Sequence, residues 1–314
     1  MKVLVTGGAG YVGTELVLKL AKDPSISKVV VFDNLSRENY NLFINSAQRI
    51  AKDKIQFEFG DLLDSRKIRK ILADIDVVYH LAARVSTPFA NADSHLYEQV
   101  NHWGTAELVY AIEEIKTVQK LIYVSSCSVY GSGKELIDEN SVVNPKTIYG
   151  VSKMRGEEHV SRLGNKMNAV IIRLGNVYGY SSSMRFDAVI NKFMFESHYK
   201  NRISIHGNGR QSRSFIHVDK AVDSLVKITS TDIPSGTYNL TERNLEIYDL
   251  IDQVKDLYPT LEFIFINQHL ELREQKINPE TKLLKYIPLQ QTDFTAELAA
   301  FRDHFTFQTT SVPA

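Results

Sequence analysis

The nine residues VTGGAGYVG (5–13) constrain the fold more than any other part of the chain. The apolar run KVLVT (2–6) leads into them and an amphipathic run from Tyr11 to Lys22 follows. A buried strand, a glycine turn and a helix, in that order, make a cradle for phosphate. Gly7, Gly10 and Gly13 allow the turn to close and backbone to approach a pyrophosphate. The helix start, with Tyr11 and Val12, presents oriented N–H groups. Asp33 ends the next apolar run, KVVVF (28–32), with Asn34 beside it, 20 residues after Gly13. Its carboxylate can accept from both hydroxyls of an adenosine ribose and would repel a 2′-phosphate, which favours NAD over NADP. Arg37, close by in sequence, keeps NADP open.

The same alternation continues. IQFEF (55–59), IDVVYHLA (75–82), LIYVSS (121–126) and AVIIRL (169–174) read as further strands, with amphipathic segments such as 93–116 and 152–163 between them. Continuous apolar strands alternating with helices predict an α/β fold, a doubly wound parallel sheet of Rossmann type covered on both faces. After Gly175 the pattern changes. Helices near 185–197, 218–229 and 245–257 mix with short strands near 203–206, 236–239 and 262–266, and two closing helices are expected over 278–289 and 292–305. The division predicted is an NAD-binding domain over 1–175, to which parts of 215–245 return, and a smaller mixed α/β substrate lobe over 176–314, with a cleft between.

A formal net charge of +0 and a pI near 7.1 give no electrostatic case for nucleic acid or an anionic membrane, so any anion must be met by local donors. No apolar run reaches the roughly 18 residues of a membrane span, and MKVLVTGG enters a strand directly, so no leader is expected. Cys127 is the single cysteine, which excludes an intramolecular disulfide. The nine histidines show no metal-ligand spacing. A cytoplasmic protein without a metal is the expectation.

TIYGVSK (147–153) places Tyr149 and Lys153 one above the other on a helix. Taken alone, such a pair is equally two ordinary neighbours on a helix face. In context it resembles a known site. TGGAGYVG, GDL (60–62), HLAA (80–83), SSCSVYG (125–131) and YGVSK (149–153) occur in the order found in extended short-chain dehydrogenases/reductases. RLGNVYG (173–179) and GNGRQSRSFIHVD (207–219) are similar to their NAD-dependent sugar epimerase/dehydratase branch, typified by UDP-glucose 4-epimerases. The resemblance is close over about 1–230 and loose beyond.

It implies Tyr149 as general base, Lys153 as the cation that tunes it and holds the nicotinamide ribose, and Ser126 as the hydroxyl at the reacting oxygen. It implies Asp61 and Leu62 at adenine, and Leu81, Ala82 and Ala83 beneath the pyrophosphate and ribose. Asn101 matches an asparagine beside the site, which implies a cofactor contact, though it also reads as a polar helix residue; Arg84 matches a ribose lysine less closely. For the substrate it implies Asn176 and Arg213 at a sugar diphosphate, with Ser128 near the sugar and Arg273 as a second diphosphate arginine. The run REQK after it and Ser214 in place of a frequent aspartate depart from the pattern.

The residues after Ser126 bear on the reaction. Related 4,6-dehydratases typically carry Asp-Glu there, to supply the acid and base for loss of water. This chain carries Cys127 and Ser128. The thiol could serve as an acid, or could simply be a small buried residue. The function expected is a nucleotide-sugar epimerase, most readily 4-epimerisation of a UDP-sugar through a transient 4-keto intermediate. A dehydratase or reductase of the same family, or a non-catalytic NAD-binding protein, are the alternatives. The helices 93–116 and 152–163 resemble dimer helices, which implies a homodimer, although their apolar faces read equally as core.

Overall fold

The computed structural model describes residues 1–44, 53–85, 93–267 and 274–307. The chain opens with β1 (Lys2–Thr6), α1 (Tyr11–Lys22), β2 (Lys28–Asp33), the short α2 (Asn41–Ile44), β3 (Ile55–Phe59), α3 (Ser65–Leu72) and β4 (Val77–His80). α4 (Ser94–Tyr97), a π-helical segment Glu98–Trp103 and α5 (Gly104–Ile115) follow without a break. β5 (Lys120–Ser126), a 3-10 turn Cys127–Tyr130, β6 (Leu136–Ile137), α6 (Ile148–Leu163) and β7 (Asn168–Leu174) complete the first half. The second half runs β8 (Asn176–Tyr178), α7 (Val189–Lys200), β9 (Arg202–His206), β10 (Ser212–His217), α8 (Val218–Ser230) and β11 (Gly236–Leu240). β12 (Arg243–Glu246), α9 (Ile247–Leu257), β13 (Glu262–Ile266), β14 (Lys276–Ile277), a 3-10 turn Lys282–Lys285 and α10 (Phe294–Arg302) end it.

Seven strands form one sheet in the order β11-β7-β5-β4-β1-β2-β3, and every neighbouring pair is parallel. The valine-rich strands supply both faces. Val3 and Val5 point to a core shared with Leu16 and Leu20 of α1 and Leu225 of α8. Leu4, between them, points to the opposite core with Leu108 and Ile112 of α5 and Val160 of α6. Alternate side chains face opposite sides of a strand, so an uninterrupted apolar run is what a sheet covered twice requires. Each such side chain, fully buried, is worth about 1.5–3 kcal/mol.

The strand order reverses between β1 and β4, and ligands of open α/β sheets bind outside the carboxyl ends of strands at such a point. β11 comes from the second half of the sequence yet closes the main sheet, Tyr238 pairing with Ile172 of β7. A separate core holds the remaining lobe, with Phe193 and Met194 of α7, Ile203 and Ile205 of β9, Leu250 of α9 and Phe301 of α10.

Three elements differ from the sequence reading. The helix expected over 278–289 is a single 3-10 turn, because Pro279 and Pro288 leave too short a stretch to nucleate an α-helix. The helix expected near 185–197 begins only at Val189, after an extended Ala188. The helix expected over 93–116 is interrupted by the π segment around Asn101, a distortion that sits next to the cleft described below.

Candidate active site

A cleft of about 1420 Å³ opens where β1, β2, β4 and β5 end, and the second lobe forms its other wall. Its floor is the glycine turn. Gly7 adopts φ +72°, and a Cβ there would lie 2.5 Å from the backbone nitrogen of Ala82, so only glycine lets β1 and β4 come so close at the strand reversal. Gly7, Gly10, Tyr11, Val12 and Gly13 all line the cleft. Gly10 caps α1 without any side-chain hydrogen bond, which leaves the first-turn N–H groups directed at the cleft. The Tyr11 hydroxyl itself turns away and donates to the carbonyl of Gly179 at 2.5 Å.

Asp33 ends β2 at the cleft, one carboxylate oxygen accepting from Ala9 N–H at 3.0 Å and the other from Leu35 N–H at 2.9 Å. Burial raises its pKa above the usual carboxylate value. Asn34 donates to Asp61 at 2.8 Å, and both line the cleft with Leu62, Leu81, Ala82 and Ala83.

Asn101 is placed differently from the expectation of a cofactor contact. It is fully buried behind the cleft wall. Its Oδ1 accepts from Arg84 N–H at 2.7 Å, and its Nδ2 donates to the Arg84 carbonyl and to Ser152 Oγ, each at 2.9 Å. Ser152 in turn donates to the Tyr149 carbonyl at 2.9 Å. Asn101 therefore joins the β4 loop to the first turn of α6, and the π segment is what turns it inward.

Tyr149 and Lys153 both line the cleft. α6 starts at the N-cap Thr147, whose hydroxyl accepts from Gly150 N–H at 3.1 Å. A Cβ on Gly150 would lie 2.7 Å from the Ser128 carbonyl, so glycine there lets the helix start press against the 3-10 turn. This contact brings Tyr149 to Ser126. Burial raises the Tyr149 pKa, and the neighbouring Ser126 hydroxyl and the Arg185 guanidinium oppose that rise. Lys153 is 1% exposed, its ammonium 4.1 Å from the centre of the Tyr123 ring. Burial pushes it down to about 7 against the field of Glu157.

Ser126 and Ser128 face the cleft, whereas Cys127 between them does not line it. Its thiol donates to the Arg173 carbonyl at 3.3 Å, is 3% exposed, and is pushed up to about 12 by burial. Asn176 and Arg213 lie on the second-lobe side of the cleft, Asn176 donating to the Ser214 carbonyl at 2.9 Å. Ser214 turns inward and accepts from Ile277 N–H at 3.0 Å. Arg273 lies outside the described residues.

The profile of the NAD dependent epimerase/dehydratase family matches residues 3–241. The chain belongs to that family. A dTDP-D-glucose 4,6-dehydratase of Homo sapiens is 31% identical over 245 residues, 76% of this chain and 68% of the relative. A putative UDP-glucose 4-epimerase of Methanocaldococcus jannaschii is 31% identical over 260 residues, 79% of this chain and 81% of the relative. A UDP-glucuronic acid 4-epimerase of Bacillus cereus, solved in complex with UDP-glucuronic acid and NAD, superposes with a TM-score of 0.84 at 27% identity, covering 97% of this chain and 98% of that one. Epimerase and dehydratase relatives stand at the same identity, so identity does not divide the two chemistries.

The cleft of this epimerase/dehydratase chain fits NAD. It offers uncapped N–H groups at α1, a carboxylate at the end of β2, and room beyond the 300–1,000 Å³ of an ordinary ligand pocket. The second lobe adds cleft residues that the sequence reading did not single out. Arg185, Asp187, Lys192, Glu196 and Gln211 all line it, and Glu196 Oε2 and Gln211 Oε1 are buried with no hydrogen-bond partner among the described residues. The segment around Ser183 docks on the cofactor side, Thr14 Oγ1 donating to Ser183 Oγ at 2.8 Å. Composition would have marked only the arginine and lysine as candidate anion ligands.

Proposed function

We propose that the chain is a nucleotide-sugar 4-epimerase that takes a UDP-sugar through a transient 4-keto intermediate. The observation that carries this is the direction of the Ser126-Cys127-Ser128 turn. Removal of water needs an acid and a base at the two positions after Ser126. The cleft receives a hydroxyl from Ser128, and the thiol of Cys127 faces the core and is held un-ionised. Epimerisation asks less of these positions. It needs a base at one sugar hydroxyl, room for the keto-sugar to turn, and return of the proton to the same oxygen.

Bound NAD supplies the reversible two-electron oxidation. Tyr149 accepts the proton of the reacting hydroxyl and later gives it back. Ser126 donates to the same oxygen as charge develops. Lys153 lowers the cost of the phenolate. Asn176 and Arg213, together with Arg273, hold the diphosphate, while Asp33, Asn34, Asp61 and Leu62 hold the adenosine end of the cofactor. On this reading 1–175, with 215–245 packed on it, serves the cofactor, and the rest of 176–314 serves the sugar nucleotide.

A cytoplasmic homodimer belongs to the same proposal. Trp103 of the π segment and Tyr110 of α5, 54% and 39% exposed, flank His159 and Arg162 of α6, Tyr110 directly and Trp103 through His102. Large exposed rings at a helix pair support association through that face. Among the described residues no helix is long and apolar enough to cross a membrane.

The test is incubation with UDP-, GDP-, dTDP- and CDP-sugars, reading products by NMR and mass. Inversion at C4 with unchanged mass is expected for a UDP-sugar. Loss of one water would replace this reading by a dehydratase. No turnover by a protein that binds NAD would replace it by a binding protein.

A further inference from the structure

Lys153 is buried at the wall of the cleft, and the groups that face it come from four elements. Tyr123 of β5 lies beneath its ammonium, and the phenol of Tyr123 donates to the Lys153 carbonyl at 3.4 Å. His80 of β4 stacks on Tyr123 at 5.4 Å and stays neutral, since burial lowers it to about 3. Asn101 of the π segment is uncharged and bonded to Ser152. Along α6 itself stand Tyr149, one turn before, and Glu157, one turn after. The Tyr123 ring face offsets part of the cost of burying this ammonium, and among the described residues Glu157 is the one anion whose charge favours it.

Glu157 is itself 6% exposed and immobilised. Its Oε1 accepts from Ser125 Oγ at 2.5 Å and from Arg173 Nε at 3.0 Å, and its Oε2 accepts from the Arg173 terminal nitrogen at 2.7 Å. Arg173 is held in turn over the Tyr130 ring at 4.7 Å, and Tyr130 donates to Asn239 of β11 at 2.8 Å. A buried ion pair is weak evidence for stability, because an apolar pair of similar volume often serves a core as well. Its position suggests a different use.

We propose that Glu157 is a positioning residue for the acid–base step: clamped by Arg173 and Ser125 one helical turn from Lys153, it keeps a larger share of that buried lysine charged, so that Lys153 can favour the Tyr149 phenolate. This rests on the reading of Tyr149 as base. Both oxygens of Glu157 are committed to Arg173 and Ser125, so it acts on Lys153 through space, and the guanidinium serves to keep the carboxylate ionised. The downward pull of burial on Lys153 and the opposing pull of Glu157 agree with that geometry. Phenol, ammonium and carboxylate then lie at successive turns of one helix face.

The test begins on cofactor-free protein carrying carbon-13 lysine, with the Lys153 signal assigned by its loss in Lys153→Arg. In Glu157→Gln the Lys153 titration midpoint is expected to fall by about one pH unit or more. In the NAD-loaded enzyme the acid limb of the kcat profile is expected to move up in pH, because the phenolate has lost its cation. Glu157→Asp keeps the charge and is expected to restore most of the midpoint. The double variant Glu157→Gln/Arg173→Gln also removes the orphaned guanidinium and is expected to show a smaller fall in the same direction, which covers the case of a single variant that does not fold. An unmoved midpoint in either folded variant, with only thermal stability lowered, would overturn the proposal and leave the pair a structural clamp. Failure of the underlying reading looks different: full turnover by Tyr149→Phe removes the base, whereas the Lys153 midpoint is still read without cofactor or substrate.

Discussion

The Cys127 thiol donates to the carbonyl oxygen of Arg173 at 3.3 Å, which aims it into the core between two serines that line the cleft. A strand end followed by a tight 3-10 turn sends adjacent side chains in different directions. Cys127 is thereby removed from the chemistry and joined to a small cluster with Val129, Tyr130 and Ile277. Cys127→Ala is expected to retain epimerase activity within a few-fold, at a stability cost of about 1 kcal/mol for the lost volume. Turnover in D2O should place no solvent deuterium at C5. Label at C5 that disappears with activity in Cys127→Ala would point instead to thiol-assisted elimination or epimerisation at more than one centre.

Tyr149→Phe keeps the ring that packs edge-on against Tyr97 at 6.4 Å and removes only the proton acceptor. The expected loss in kcat is roughly 10²–10⁴-fold, the usual worth of a general acid–base group. Cofactor content measured on the same preparation should be unchanged. Turnover near that of the wild type would end the assignment of Tyr149.

Asp33→Ala removes a carboxylate that could hold the ribose diol. Hydrogen bonds to a charged group are worth about 1.5–3 kcal/mol, so NAD affinity should fall by about 10- to 100-fold. The penalty against NADP should shrink in the same variant. The raised pKa of Asp33 adds a pH signature. As pH falls through that raised value the carboxylate protonates, and wild-type NAD affinity should weaken at a higher pH than an ordinary aspartate would give. Calorimetric titration of both dinucleotides checks each point, and tighter binding of NADP by the wild type would contradict the role given to Asp33.

Lys153 predicts an unusual stability profile in the cofactor-free protein. Its folded pKa of about 7 lies below the ordinary 10.5. Between those values the unfolded chain binds more protons at this site, so stability rises with pH through that window, by up to about 1.4 kcal/mol per unit. Below about 7 the full cost of the buried ammonium is present. Urea unfolding of wild type and Lys153→Met from about pH 7 to about pH 9 isolates the contribution. The wild type should gain on the variant as pH rises, and a constant difference would show that Lys153 does not titrate in this range.

Much of the fold was written in short stretches. KVLVT followed by GGAG and an amphipathic dozen can be read without the rest of the chain, because strand, turn and helix preferences act over a few residues. The same holds for Tyr149 and Lys153, whose spacing is a property of one helix. Their value as a pair came from motifs lying in order along the chain.

What the sequence determined by itself was therefore local: the parallel α/β pattern, the glycine turn, and the residue types at the strand and helix ends around the cleft. The tertiary structure alone decided where those residues point. Asn101 turns inward because a π segment shifts its helix, and Cys127 turns inward because a 3-10 turn follows β5. β11 joins the first-half sheet, and Arg185, Glu196 and Gln211 reach the cleft, through contacts between segments far apart in the chain. Glu157 meets Arg173 and Ser125 across three elements. Such meetings follow from how whole layers pack to bury apolar faces, and no spacing within a single segment encodes them.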